Sequence, residues 1–500
     1  MKRFLIGLTV VLLVMAIAVL ALIIRTPSRQ ASWLAEYEAT KEYLATADAN
    51  FDWVVRSKGI DLPALDRETR TAVEGAWTSI GAAWAVRDFA WKFADGHTWA
   101  RIRPAIWWRG MTGNEPEGAT TTDAGPTAEP TLLSSMMAGA ACSTAGLDVN
   151  SRPDGWKLPF PDAPGAELIA DDEFPAVLMP LPDGRKVGIL RVANFGHEHF
   201  GPSCARAWEG FRSTLTAPCT GDCRWGLVAA TMRSGAARAA EVANELLRQG
   251  AIAVVIDITG NGGGSEFADA MARALTSLPL RVTAGGIIRH PHQRRAVQEE
   301  RDVVAADTGR ATRAQRLVLD AALHRIDSLL LELQRDCGRQ LVWSGGTPRC
   351  SNVLVVPPLV EYAAPGTFDG LENGWALWRP SWHAGAEGIY RGPLLVLQDH
   401  RSASASEEFA ARLKDNGAAM IVGERSYGAG CGYTNGGTRL ELPALGLLVR
   451  APDCQRLRMD GSNETEGIAP DLEAGWSAED TPAARVTKAI TAIARVLPVR

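Results

Sequence analysis

The chain has 500 residues, a net charge of -5 and no basic run, which argues for more than one structural unit and against a nucleic-acid surface. With 46% hydrophobic and 22% charged residues, its composition is that of a globular protein. Tryptophan is plentiful at 16 residues. Many fall between Trp33 and Trp108, and at helical spacing such aromatics are read as packing residues.

In chain order, residues 4–24 form a charge-free apolar run long enough to cross a bilayer. A cleaved signal carries a shorter apolar stretch and a clear small-residue cleavage site. Residues 1–28 are therefore expected to be a transmembrane anchor or an uncleaved signal, with the protein secreted if the segment is removed. Lys2 and Arg3 before the run, and Arg25 and Arg29 after it, leave its orientation open. Residues 29–108 place apolar side chains three and four apart, which predicts an N-terminal helical domain. Residues 109–184, rich in Thr, Gly, Ala and Pro, are expected to be a flexible linker region.

From RKVGILRVANF, strands and helices alternate. AIAVVIDI, GPLLVLQ and AAMIVG are apolar runs of the kind that form strands buried on both faces. SGAARAAEVANELLRQG reads as a helix ending at Gly250, and residues 289–345 as an inserted helical hairpin that covers the core. RLELPALGLLVRAP reads as a β-hairpin. The expected class is α/β, with a core over residues 185–480 and a closing helix over 481–500.

All eight cysteines lie beyond the apolar run, and an even number downstream of an export signal suggests disulfides. Cys337 with Cys350, and Cys431 with Cys454, are plausible local pairs. Cys204, Cys219 and Cys223 lack a histidine at metal spacing, which favours disulfides over zinc.

Two motifs carry chemistry. In DHRSASASEEFAARLKDNG, Ser404 and Glu407 fit a capping box, which requires no catalysis. Yet Ser404 also stands between a buried strand and a helix. Ala403 and Ala405 leave its hydroxyl accessible, and helix-start amides are free to hold an oxyanion. GNGGG, at residues 260–264, ends another buried strand and lets backbone approach a ligand closely. It lacks the spacing and the lysine of a phosphate loop.

Together with EGIAPD at residues 466–471, these stretches resemble the S41 family of serine peptidases. That group comprises the C-terminal processing and tricorn-type enzymes and the interphotoreceptor retinoid-binding protein-like domains. The resemblance implies a ClpP/crotonase-like spiral core and places the nucleophile at Ser404. It implies oxyanion donors at Ala405 and at Gly262 or Gly263. Processing peptidases use a lysine base in a GKG turn; here the turn reads GAG, with Ala429 in the lysine's place. Lys414, far along the helix that Ser404 opens, cannot replace it.

The tricorn-type branch instead pairs its serine with a histidine and a glutamate, which implies His97, in DGHT, and Glu464, in DGSNETEGIAPD. Histidine is suited to accept a proton near neutrality, and a carboxylate fixes its tautomer. Glu466 is a rival for the carboxylate role and His400 for the base. Thr259 stands where the family often has an arginine, and residues 109–184 show no clear PDZ module. Asn463, in an N-x-T pattern, is read as a chance match.

The expected function is that of a serine endopeptidase acting on a peptide or protein, membrane-held and extracytoplasmic, without metal or nucleotide. The alternative is a non-catalytic ligand- or peptide-binding protein on the same scaffold.

Overall fold

A computed structural model describes residues 26–112, 131–149, 165–385 and 387–497. The apolar run at residues 4–24 lies outside them, as does most of the low-complexity stretch. No helix of the described residues is long and apolar enough to cross a membrane.

The strands in chain order are β1 (Trp99–Ile102), β2 (Glu167–Ala170), β3 (Ala176–Pro180), β4 (Lys186–Arg191) and β5 (Ala251–Asp257). β6 (Gly285–Ile288), β7 (Val353–Val356), β8 (Leu394–Gln398) and β9 (Met420–Gly423) follow. β10 (Leu440–Leu442), β11 (Leu447–Arg450), β12 (Cys454–Arg456) and β13 (Leu472–Glu473) complete the set. Seven of them form one sheet, ordered β13-β9-β8-β5-β4-β3-β2. Its centre is parallel, as the unbroken apolar runs of β5 and β8 require, because helices cover both faces.

One face packs against the helices Asp222–Arg248, Phe267–Ala274 and Ala405–Asp415 through Met232, Phe267 and Phe409. On the other face, Ile490 and Ile493 of the closing helix Pro482–Val496 meet Val255, Leu397 and Val422. The class is mixed α/β, as expected.

Three boundaries shift. β3 and β4 form an antiparallel pair, so the core begins before residue 185 and takes in part of the expected linker. The N-terminal helices are not separate from the core. β1 pairs with β11, and Tyr37, Phe89 and Trp343 share one apolar cluster with Leu447 and Val449 of that hairpin. The insertion does contain a helical hairpin, Pro291–Ala306 with Arg313–Glu332, but it hangs between β6 and β7 of a small sheet completed by β12.

The cysteines pair as Cys142–Cys204, Cys219–Cys223, Cys337–Cys350 and Cys431–Cys454. The packing role expected for the early tryptophans holds for Trp33 but not for Trp77, Trp84, Trp91 and Trp108, which are exposed. Helical spacing shows that residues share a face without showing which way that face turns.

Candidate active site

β8 and β5 end side by side, and each delivers a turn. After β8 the chain reverses at Ser404, with φ 56° and ψ -116°, and enters the helix Ala405–Asp415. Among described residues only Ser404 and Asn435 combine a side chain with a positive φ in this way. Such backbone costs on the order of 1–3 kcal/mol and gathers at functional sites. The expected capping box forms around Ser404, whose N–H donates to Glu407 Oε2 at 2.9 Å.

The neighbouring serines have other duties. Ser402 Oγ donates to the Ile258 carbonyl at 2.8 Å, and Ser406 Oγ to the Asn261 carbonyl at 2.8 Å. Both sew this elbow to the glycine turn after β5. Asn261 is the central stitch: fully buried, it also takes the Ala403 N–H on its carbonyl and the Gly263 N–H on Oδ1.

Gly263 sits directly under the serine. A Cβ there would lie 2.8 Å from Ser404 Cβ, from the Ala403 carbonyl oxygen and from the Ala405 nitrogen, at a φ of +105°. Gly263→Ala is therefore expected to destabilise the fold by about 1–3 kcal/mol, read by thermal unfolding. Of the expected oxyanion donors, the Gly263 amide is engaged by Asn261 Oδ1, and Ala405 lines the cleft together with Gly264. Thr259 bonds Asp257, and Arg191 from β4 reaches both residues.

The cleft has a volume of about 750 Å³ and brings Ser404 and His97 onto one surface. The inserted hairpin supplies Val297 and Leu329, and β6 and β7 supply Ile287 and Val356. His97 is held from several sides. Asp95 Oδ1 accepts its N–H at 3.0 Å, and Asp95 Oδ2 accepts from Asn50. Nδ1 lies 3.0 Å from the Ala429 carbonyl oxygen. Because that oxygen only accepts, Nδ1 carries the proton and Nε2 keeps its lone pair. The Nε2 edge covers Gly432, where any Cβ would come within 2.9 Å of the ring. Burial, helped by Arg456, holds the His97 pKa below its usual value against Asp95, the Ala429 carbonyl and Glu407. The ring is therefore neutral near pH 7. No hydrogen bond joins Ser404 to His97 among the described residues.

The Ala429 carbonyl is fixed by Glu407. This fully buried carboxylate accepts from the Ser404 N–H, Ser426 Oγ and the amides of Gly428, Ala429 and Gly430. One side chain thus ties the serine elbow to the turn that orients the histidine.

Glu464 stands against Arg456 rather than against His97. It is buried and bonded to Arg456 Nε at 2.6 Å, and no bond joins it to His97 among the described residues. Burial raises its pKa, with Arg456 opposing. Arg456, which nothing in its sequence context marks, also donates to the carbonyls of Ser404 at 2.7 Å and Gly430 at 2.8 Å.

The rivals fall away on geometry. Glu466 is exposed, His400 is exposed and paired with Glu424, and Lys414 is bound to Asp471 and the Ala469 carbonyl. Asn463 is buried and bonded to Asn50, which leaves no room for a glycan.

Among solved structures, mature CPAF complexed with lactacystin is similar over 93% of this chain and 99% of its own, at 15% identity and a TM-score of 0.56. Mature CPAF alone covers 92% of this chain and 96% of its own, at 14% identity and a TM-score of 0.55. These likenesses show a shared fold. A model of peptidase family S41 matches residues 186–474, more than half of the sequence, taking in both turns and the helix that Ser404 opens. The chain belongs to peptidase family S41.

Proposed function

We propose that this protein is a serine endopeptidase of an extracytoplasmic compartment, with Ser404 as nucleophile and His97 as general base. One observation carries the reading. His97 lines the same cleft as Ser404 and is held at Nδ1 by the carbonyl of Ala429, the residue that stands where processing peptidases carry a lysine.

In this reading Ser404 Oγ attacks the scissile carbonyl while its proton passes to His97 Nε2. The Ala405 amide and the turn at Gly264 hold the oxyanion, at about 3 kcal/mol per donor. As the C–N bond breaks, His97 returns the proton to the leaving amine, and it then activates the water that releases the acyl group. Asp95 and the Ala429 carbonyl position the ring. Glu464 acts through Arg456 by keeping that guanidinium on the Ser404 and Gly430 carbonyls. Four disulfides support an oxidising compartment.

A fluorophosphonate probe is expected to label the native protein at Ser404 and to leave Ser404→Ala unlabelled. Equal labelling of both would overturn the reading and leave the non-catalytic alternative.

A further inference from the structure

We infer that the exposed tryptophan face of the N-terminal helices docks on an anionic phospholipid surface. Trp77, Ile80, Trp84 and Trp91 run along one stripe of the helix Ser79–Trp91 and the turn before it, with Trp77 78% and Trp84 47% exposed. The stripe is continuous with a second apolar element, because Ile80 shares a cavity of about 350 Å³ with Ile102 and Trp107. Soluble surfaces rarely expose so large a contiguous apolar patch without a partner.

Two features select a bilayer as that partner. The first is chemistry. Arg87 lies 4.5 Å from the ring of Trp84 and 5.7 Å from that of Trp91. Lys92 and Arg103 are also exposed on this segment, whereas Asp88 is the one exposed acid between Trp77 and Trp108. Tryptophan interleaved with arginine suits the headgroup zone, where ring bodies enter the acyl boundary and cations meet phosphate. A second copy of the chain would bring the same positive charges together.

The second feature is position. Residues 4–24 are apolar and end just before the helix Pro27–Ala47. In the first turn of that helix, Gln30 Nε2 donates to the Glu74 carbonyl at 3.0 Å. The chain therefore arrives beside the end of the stripe that carries Trp77.

The test uses the full chain in vesicles of phosphatidylcholine and phosphatidylglycerol. All eight native cysteines are paired, so a single introduced cysteine accepts a bimane label. Ile80→Cys, at a position 52% exposed, is compared with Leu317→Cys, a still more accessible position at 70% exposure on the inserted hairpin. With lipids brominated in the acyl chains, the label at residue 80 should lose most of its fluorescence and the label at residue 317 little. Replacing phosphatidylglycerol with phosphatidylcholine should weaken the quenching at residue 80. Equal quenching at both positions, or none at residue 80, overturns the proposal. So does protection of residue 80 that grows with protein concentration in lipid-free detergent, which would assign the face to a second copy.

Discussion

His97→Ala is expected to lower kcat/KM by on the order of 10^4-fold or more without unfolding the protein. The ring is the group placed to take the Ser404 proton, and its loss removes both the base and the later acid. The turn around it survives, because Asp95 keeps its bond to the Thr98 N–H and to Asn50. Thermal unfolding should therefore change little. The carbonyl that orients the ring belongs to backbone, so its contribution cannot be deleted by substitution at residue 429; Ala429→Gly should retain activity. Activity surviving in His97→Ala would reassign the base.

Glu407→Gln should be the most damaging conservative change in the protein. The carboxylate accepts from one hydroxyl and four backbone amides, with Oε1 and Oε2 both engaged. An amide side chain must present its NH2 group to one of those donor sets. Each stranded buried donor costs about 1–3 kcal/mol, so a loss of at least about 3 kcal/mol in unfolding free energy is expected. Hydrolysis should fall further than stability alone dictates, because the turn at residues 428–430 carries the carbonyl that fixes His97. Denaturant melts and kcat measured on the folded fraction separate the two effects. Unchanged kcat on that fraction would show that Glu407 serves stability only.

The core was legible because its strands are buried on both faces, so AIAVVIDI and GPLLVLQ read as strands without any periodicity. The glycine turn and the serine elbow were legible because their residue types answer local backbone demands. What sequence could not show was pairing across the fold. Glu464 and His97 stood where the family resemblance placed them, but only coordinates put an arginine from β12 against the glutamate and a backbone carbonyl against the imidazole. Arg456 lies within an ordinary run, DCQRLR, and Asn261 within a turn read for its glycines alone. The edge strand β2 and its neighbour β3 were lost in a stretch whose composition resembles a linker. The stripe of Trp77, Trp84 and Trp91 was misplaced because a spacing of three to four gives a face without its direction.

Attack by Ser404 requires a neutral imidazole to take its proton, and the pH dependence of fluorophosphonate labelling reads that step. Because burial lowers the His97 pKa, protonation should suppress labelling only at a midpoint below the usual histidine value of 6.5. Above that midpoint the rate should be flat through neutrality, and His97→Ala should abolish the step. A midpoint that persists in His97→Ala, or labelling that rises only in the alkaline range of a lysine, would contradict the assignment.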